Sequence, residues 1–353
     1  MAQEQGSNIP NTKGKKEIEM RRYHVFFLVV LLSLVMVAPA ALAKKPIKIR
    51  FSHVVADNTP KGWAAKEFAA RANKELKGKV KVQVFPNSQL YDDNQAIEAL
   101  SAGFIEMAAP STAKFVGSVP QLQLFDEPFL FASTDATHKT IDGPIGKEIM
   151  ANFSKRGLKA LAVWDNGFKD FTDNKHPLIK PEDFKGVKFR IMSSDILEAQ
   201  MHEVDAVGLK LPFGEVYNAL EQGVVDGQEN TPSNIYSKKL HEVQNYYTIS
   251  NHGYLGYVVI TSESFWNKLP ADVRATLERI MAEVTREERL KAKEMNDADL
   301  AKIKEYAQKT GRLQIHELTP QEKAVMQKAM EPVHKMFPQF IPVTWIDEIY
   351  KMQ

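Results

Sequence analysis

The sequence predicts an α/β protein built on a largely parallel sheet, with enough chain for two domains. Period-two runs at 47–51 and 80–84 enclose a helical segment, which is the signature of a strand-helix-strand unit. A second series of strand and helix patterns begins near Leu158, without a repeated sequence that would suggest a solenoid. The 353 residues, 44% apolar and 25% charged, can bury two cores.

In chain order, Ile47 to Phe51 alternates apolar residues with Lys48 and Arg50, and Val80, Val82 and Val84 alternate with Lys81 and Gln83. Between them Thr59-Pro60 opens a helix with Trp63, Ala64 and Phe68 on one face, and Gly78 stops it. A helix from about Asp92 to Ala102 and a short strand from Glu106 to Ala109 complete the opening β-α-β-α-β pattern. Leu158 to Trp164 reads as a buried strand ending in the turn signal Asp165-Asn166-Gly167. Val187 to Met192 is the next strand, Ser193-Ser194-Asp195 the entry to a helix, and Leu209 to Leu211 a further strand. Phe213 to Gln222 and Pro232 to Leu240 read as helices, and Tyr254 to Thr261 as a strand. From Ala271 to about Lys309 helix formers dominate, either as one helix of roughly 60 Å or as two joined near Asn296-Asp297. Thr319-Pro320-Gln321-Glu322 has the capping-box pattern of a last helix.

The first 43 residues read as a secretory signal. Lys13, Lys15, Lys16, Arg21 and Arg22 precede an apolar run from Val25 to about Ala38, and Ala41-Leu42-Ala43 supplies a small-x-small cleavage site. The long polar tract before Met20 leaves both Met1 and Met20 open as starts. Cleavage removes two of the formal +2 charges, so the mature chain of 353 less 43 residues is electrically balanced. No later apolar run is long enough to span a bilayer, which predicts a soluble product in the periplasm. Nor does the charge give any reason to expect nucleic acid as a partner.

Catalytic patterns are missing. The absence of cysteine excludes disulfides, thiolate metal sites and a cysteine nucleophile. No G-x-S-x-G elbow, phosphate-binding loop or dinucleotide fingerprint occurs. His202-Glu203 meets Ala206, and His241-Glu242 meets Asn245, where a zinc protease needs a second His. Asp92-Asp93 reads as an acidic pair at a helix N-terminus. No catalytic residue, cofactor or metal ligand is expected, and a hydrolase using paired carboxylates has no motif to single out its pair.

Five blocks occur in order: His53-Val54-Val55-Ala56-Asp57-Asn58-Thr59-Pro60-Lys61-Gly62, Trp164-Asp165-Asn166-Gly167-Phe168-Lys169, Val187-Lys188-Phe189-Arg190, Leu211-Pro212-Phe213-Gly214-Glu215-Val216-Tyr217 and Gly227-Gln228-Glu229-Asn230. Together they resemble the solute-binding subunit of tripartite ATP-independent periplasmic (TRAP) transporters, of the DctP type. The resemblance covers essentially the whole mature chain. It implies a two-lobed periplasmic binding protein, type II-like, with hinge strands and a long helix spanning both lobes. Residues 44–166 and about 255–295 would form lobe I, and 167–254 with about 296–353 lobe II. It further implies capture of a small organic anion by hinge closure and delivery to the small and large subunits of a membrane permease.

An organic acid taken out of water needs a fixed cation against it. The resemblance places Arg190 in that role, where a guanidinium can grip a carboxylate through two parallel hydrogen bonds. It places Lys169 and Lys61 beside the anion, the Asn230 amide on the ligand and Phe213 against its carbon skeleton. His252 and Tyr254 lie where the chain recrosses, as hinge or wall. Three cations suit two carboxylates, so a C4-dicarboxylate such as malate, succinate or fumarate is expected; a monocarboxylate, 2-oxo acid or sugar acid, or a ligand-sensing module, are the alternatives.

Overall fold

In a computed structural model of the chain the described residues are 45–353, with 14, 17, 19–24 and 26 before them. The predicted cleavage site and most of the predicted signal lie outside these residues. Among the described residues no helix is long and apolar enough to cross a membrane.

Strand β1 (Ile47–Ser52) pairs in parallel with β2 (Val80–Phe85), Ile47 opposite Val80, and helix α1 (Pro60–Glu75) connects them. The Thr59 hydroxyl accepts the Gly62 N–H at 3.2 Å and starts the helix. Its buried face, with Ala64, Ala65, Phe68 and Ala72, packs on the sheet, and Phe68 meets Phe51 edge-on at 6.2 Å. Helix α2 (Asp93–Ser101) begins in a complete capping box between Asp92 and Gln95, and β3 (Met107–Ala108) adds to the other side of β1.

Two strands then run the width of the molecule. β4 (Leu158–Asp173) has 16 residues and β8 (Tyr246–Ser262) has 17, and they pair antiparallel along nearly their whole length. The expected turn at 165–167 is instead a register shift inside β4, with Gly167 at φ +123°. A side chain at 167 would be strained by that backbone, and its Cβ would lie 3.0 Å from the Asn296 amide. β8 starts eight residues before the expected strand because Ser250, Asn251 and His252, polar in sequence, are part of it.

β5 (Lys188–Ile191) is followed by helix Asp195–His202, β6 (Val207–Lys210), helix Val216–Glu221, β7 (Gly227–Asn230) and helix Pro232–Ser237. The sheet order is β2-β1-β3-β8-β4-β7-β5-β6, with β9 (Gln314–Glu317) paired to the early half of β8. Outer neighbours are parallel, but β3–β8, β8–β4 and β4–β7 are antiparallel, so the sheet is mixed rather than largely parallel. Two half-sheets, β2-β1-β3 and β7-β5-β6, thus share the central pair.

The stretch from Ala271 to Thr310 is one unbroken helix of 40 residues. Asn296 does not interrupt it, because its side-chain amide donates to Ala292 O at 2.8 Å and to Asn166 O, while its oxygen accepts the Ser233 N–H at 3.0 Å. Further along, Trp164 of β4 donates to the Thr285 hydroxyl at 3.0 Å. The long helix is therefore tied to the central strands on both sides of the shift. The predicted Thr319–Glu322 box is formed in both directions, and the chain ends against residues 128–132, where Gln353 bonds Leu130 and Ala132.

Candidate functional site

Where the half-sheets meet, a small cavity of about 20 Å³ is lined by Arg190 and Met192 past β5, Asn230 at the end of β7, and Leu255 and Tyr257 on β8. Val54, Val55, Asp93, Ser111 and Lys114 close it from the first half-sheet, and Phe213 from the second.

Strand alternation sets Arg190. Phe189 and Ile191 are in the core, so Arg190 faces the cavity. Its side chain is 2% exposed, and its Nε and Nη2 both donate to Leu211 O, at 3.0 and 2.9 Å. No carboxylate pairs with it among the described residues. Burial pulls the guanidinium down to about 10, against the pull of Glu229 and Asp93. Arg190 is a desolvated cation whose remaining N–H groups are uncommitted.

Lys61 is fully buried, donates to Ala109 O at 2.9 Å and sits 3.5 Å over the Tyr257 ring. Burial lowers its ammonium to about 8, and Asp93 acts in the opposite direction. Lys61 reaches this depth because Gly62 lets the chain fold tightly; a Cβ there would come within 2.1 Å of Ala56 O. Lys114 donates to the Ser193 hydroxyl at 3.1 Å; burial lowers its ammonium, Asp93 raises it and Arg190 lowers it further. Of the lining residues Arg190 and Lys114 are cations and Asp93 is the one acid, and Lys61 adds a further cation from behind Tyr257.

Asn230 accepts from Asn234 Nδ2 at 2.8 Å and from the Thr231 N–H at 3.1 Å, so its own Nδ2 has no partner among the described residues. Asn234 also reaches the Tyr257 hydroxyl at 3.2 Å. The phenol therefore accepts from the amide and keeps its proton for another acceptor, and burial raises its pKa. An arginine, a phenol and an amide all present donors to one small space, which is chemistry suited to an anion.

The seven residues singled out from the sequence divide. Arg190, Asn230 and Phe213 line the cavity, and Lys61 lies behind Tyr257. Lys169, His252 and Tyr254 do not line it. Lys169 is fully buried and committed to Glu229 Oε1 at 2.5 Å. His252 Nε2 lies 2.8 Å from Glu229 Oε2, its Nδ1 2.7 Å from the Ser250 hydroxyl, and its ring stacks on Phe171 at 3.6 Å. Burial would raise the Glu229 carboxyl, but Lys169 and His252 override it and hold it well below the usual carboxylate range. Burial lowers His252 itself to about 4, which keeps the ring neutral at pH 7. Tyr254 points to the opposite face of β8 from Tyr257 and donates to Asp165 Oδ1 at 2.5 Å. Asp93, Lys114 and Tyr257 were not anticipated. The period of β8 was the available signal for Tyr257; Lys114 belongs to no recognisable pattern.

A larger space of about 410 Å³ lies between β4, the early half of β8 and the long helix. Its cations are already matched: Arg289 with Asp142, Lys293 with Asp297, and Lys304 with Glu317 at 3.9 Å. None of its cations is left without a carboxylate partner as Arg190 is.

Two half-sheets threaded by shared strands, with a charged cavity at their junction, define a two-lobed α/β ligand-binding protein. Residues 51–339 match the DctP family, bacterial extracellular solute-binding protein family 7, and the chain belongs to it. A relative from Rhodobacter capsulatus, the C4-dicarboxylate-binding periplasmic protein DctP, is 47% identical over 304 residues, 86% of this chain and 89% of its own. The TRAP periplasmic solute-binding protein of Sulfurospirillum deleyianum, solved with bound succinate, is 49% identical with a TM-score of 0.85, over 88% of this chain and all of that one (100%). One from Pseudomonas aeruginosa PAO1, solved with bound L-malate, is 40% identical with a TM-score of 0.78, over 82% and 99%. Members of this family bind solutes outside the cytoplasm and serve TRAP permeases, so the chain is a solute-binding protein rather than an enzyme.

Proposed function

We propose that this protein captures a C4-dicarboxylate of the size of succinate, malate or fumarate and presents it to the small and large subunits of a TRAP permease. The observation that carries the reading is Arg190, a buried guanidinium with no carboxylate partner among the described residues, in a cavity that Lys114 also lines and that Lys61 backs from behind Tyr257. A dianion brings the complementary charge. The succinate and L-malate bound by related structures support the same class. Export would follow cleavage near Ala43. Lobe I would comprise 44–166 and about 255–295, and lobe II 167–254 and about 296–353, hinged on the β4–β8 pair. Arg190 and Asn230 from one half, and Lys61 and Lys114 from the other, would then contact or neutralise one ligand only when the cleft is shut.

A thermal-shift panel of organic acids and neutral solutes tests this. A dicarboxylate at about 100 times its dissociation constant should stabilise the mature protein by roughly 2.7 kcal/mol. Silence toward every acid, with a response to neutral sugars or peptides, would reject the substrate class.

A further inference from the structure

The residues that line the cavity are joined across it by a second set of contacts that would touch no ligand. Gln123 lies in a tight helical turn, Pro120–Asp126, of the segment that follows β3, and is wholly buried with its neighbours Leu122, Leu124 and Phe125. Its side-chain oxygen accepts from the Asp195 N–H at 2.6 Å, the Ser194 hydroxyl at 3.1 Å and the Ile196 N–H at 3.4 Å. These donors form the start of helix Asp195–His202, whose first N–H groups have no partner inside the helix. Two further contacts join the same stretches: Lys114 with the Ser193 hydroxyl at 3.1 Å, and the Ser111 hydroxyl with Met192 Sδ at 3.4 Å. Ser111 also bridges to Tyr257. All of these contacts but the last fall on 192–196, the turn that leaves β5 just past Arg190 and Ile191.

We infer that Gln123 is a latch. Its single carbonyl oxygen holds the Arg190-bearing turn of the second half-sheet to the first, so it stabilises the shut cleft and slows ligand release without touching ligand. The inference rests on the proposed function and on hinge closure between the half-sheets. Three donors on one acceptor are satisfied together only when the halves meet, and in an opened cleft they revert to water. The latch therefore acts on the lifetime of the closed state rather than on anion recognition.

The test compares Gln123→Met, which keeps the volume and removes the acceptor, with Gln123→Glu, which keeps an acceptor where helix N–H groups favour negative charge. The chain contains no cysteine, so Asn94→Cys with Glu215→Cys, exposed positions flanking the cavity from its two sides, gives a unique label pair. With saturating succinate, the parent labels should report one short distance. Gln123→Met should retain a second, longer population and release succinate about tenfold faster, equivalent to 1.4 kcal/mol, while Gln123→Glu stays within about threefold of the parent. Parent-like distances and release in Gln123→Met, even with a lowered melting temperature, would overturn the latch and leave a purely structural glutamine. Equal failure of Gln123→Glu would overturn the role of the acceptor. If the parent ignores succinate, malate and fumarate, the proposed function fails; the latch is then judged on the ligand-free label distances, which Gln123→Met must broaden and which, if unchanged, refute it.

Discussion

Replacing Arg190 by Met should push binding and stability in opposite directions. Burial pulls the guanidinium down from its ordinary range to about 10, and at 1.36 kcal/mol per pH unit the charged form is disfavoured in the folded, ligand-free protein by about 3 kcal/mol. Met fills much of the same space without charge, so the ligand-free variant should be more stable, by up to that amount. Binding should suffer. Nε and Nη2 are held by Leu211 O, which orients the remaining N–H groups, and the variant offers a ligand carboxylate nothing in their place. Losing one partner of a buried charged pair costs about 2–5 kcal/mol, or roughly 30-fold to several-thousand-fold in Kd. Arg190→Lys should recover less than about tenfold, because one ammonium cannot hold Leu211 O and also grip a carboxylate in parallel. Calorimetric titration with succinate and malate, paired with urea unfolding of the ligand-free proteins, reads both effects. A variant with parent affinity, or one that binds poorly because it is less stable, would refute the reasoning.

Three other outcomes follow from the buried charges. Lys61, at about 8 in the ligand-free protein, must be protonated to favour an anion, so succinate affinity should be steady below pH 8 and weaken above it; a flat profile to pH 9.5, or an equal decline in Lys61→Met, would exclude that role. Glu229→Gln strips the carboxylate from the buried Lys169 and should cost about 3–5 kcal/mol in urea unfolding; a loss below about 1 kcal/mol would mean that the pair is not structural. Burial raises Asp126 to about 7 and Glu127 to about 8, with Lys169 lowering the first and Asp126 raising the second further. Between the ordinary carboxylate range and these values each of the two carboxyls binds more protons in the folded than in the unfolded state, so their own contribution to stability falls as pH rises from about 5 to 8, against the opposite slope of the buried, neutral His53 and His252. The melting temperature of the parent relative to that of Asp126→Asn with Glu127→Gln should drop as pH rises across that range, which checks the sign.

The sequence made the outer strands, α1 and the Thr319–Glu322 capping box legible because each rests on local chemistry: alternation, a cap or a stop. The central pair was harder to read. β8 carries Ser250-Asn251-His252 where a strand usually carries apolar residues, and the stretch is held by distant acids: the Ser250 and Asn251 N–H groups donate to Asp170, and the His252 ring meets Glu229. Asp165-Asn166-Gly167 spells a turn, yet Asn296, over a hundred residues later, holds it as a bend within a strand. At the site, alternation contained more than was drawn from it. Glu229 and Asn230 are adjacent on β7, so if one faces the cavity the other faces away, which marks Glu229 as the partner for Lys169. The same parity separates Tyr257 from Tyr254. Asp93 looked like an ordinary first-turn acid, and only the tertiary fold brings it against Lys61 and Lys114.

The placement of β8 between β3 and β4 has a consequence for biosynthesis. The N-terminal half-sheet lacks its neighbour until residues 246–262 have been made, so no contiguous early fragment can complete its hydrogen bonding. A nascent chain stopped short of Tyr246 should remain a substrate for proteases and chaperones, and neither half should be recoverable as an autonomous truncation. Such late closure suits a polypeptide that has to stay threadable until most of it has passed through a translocation channel.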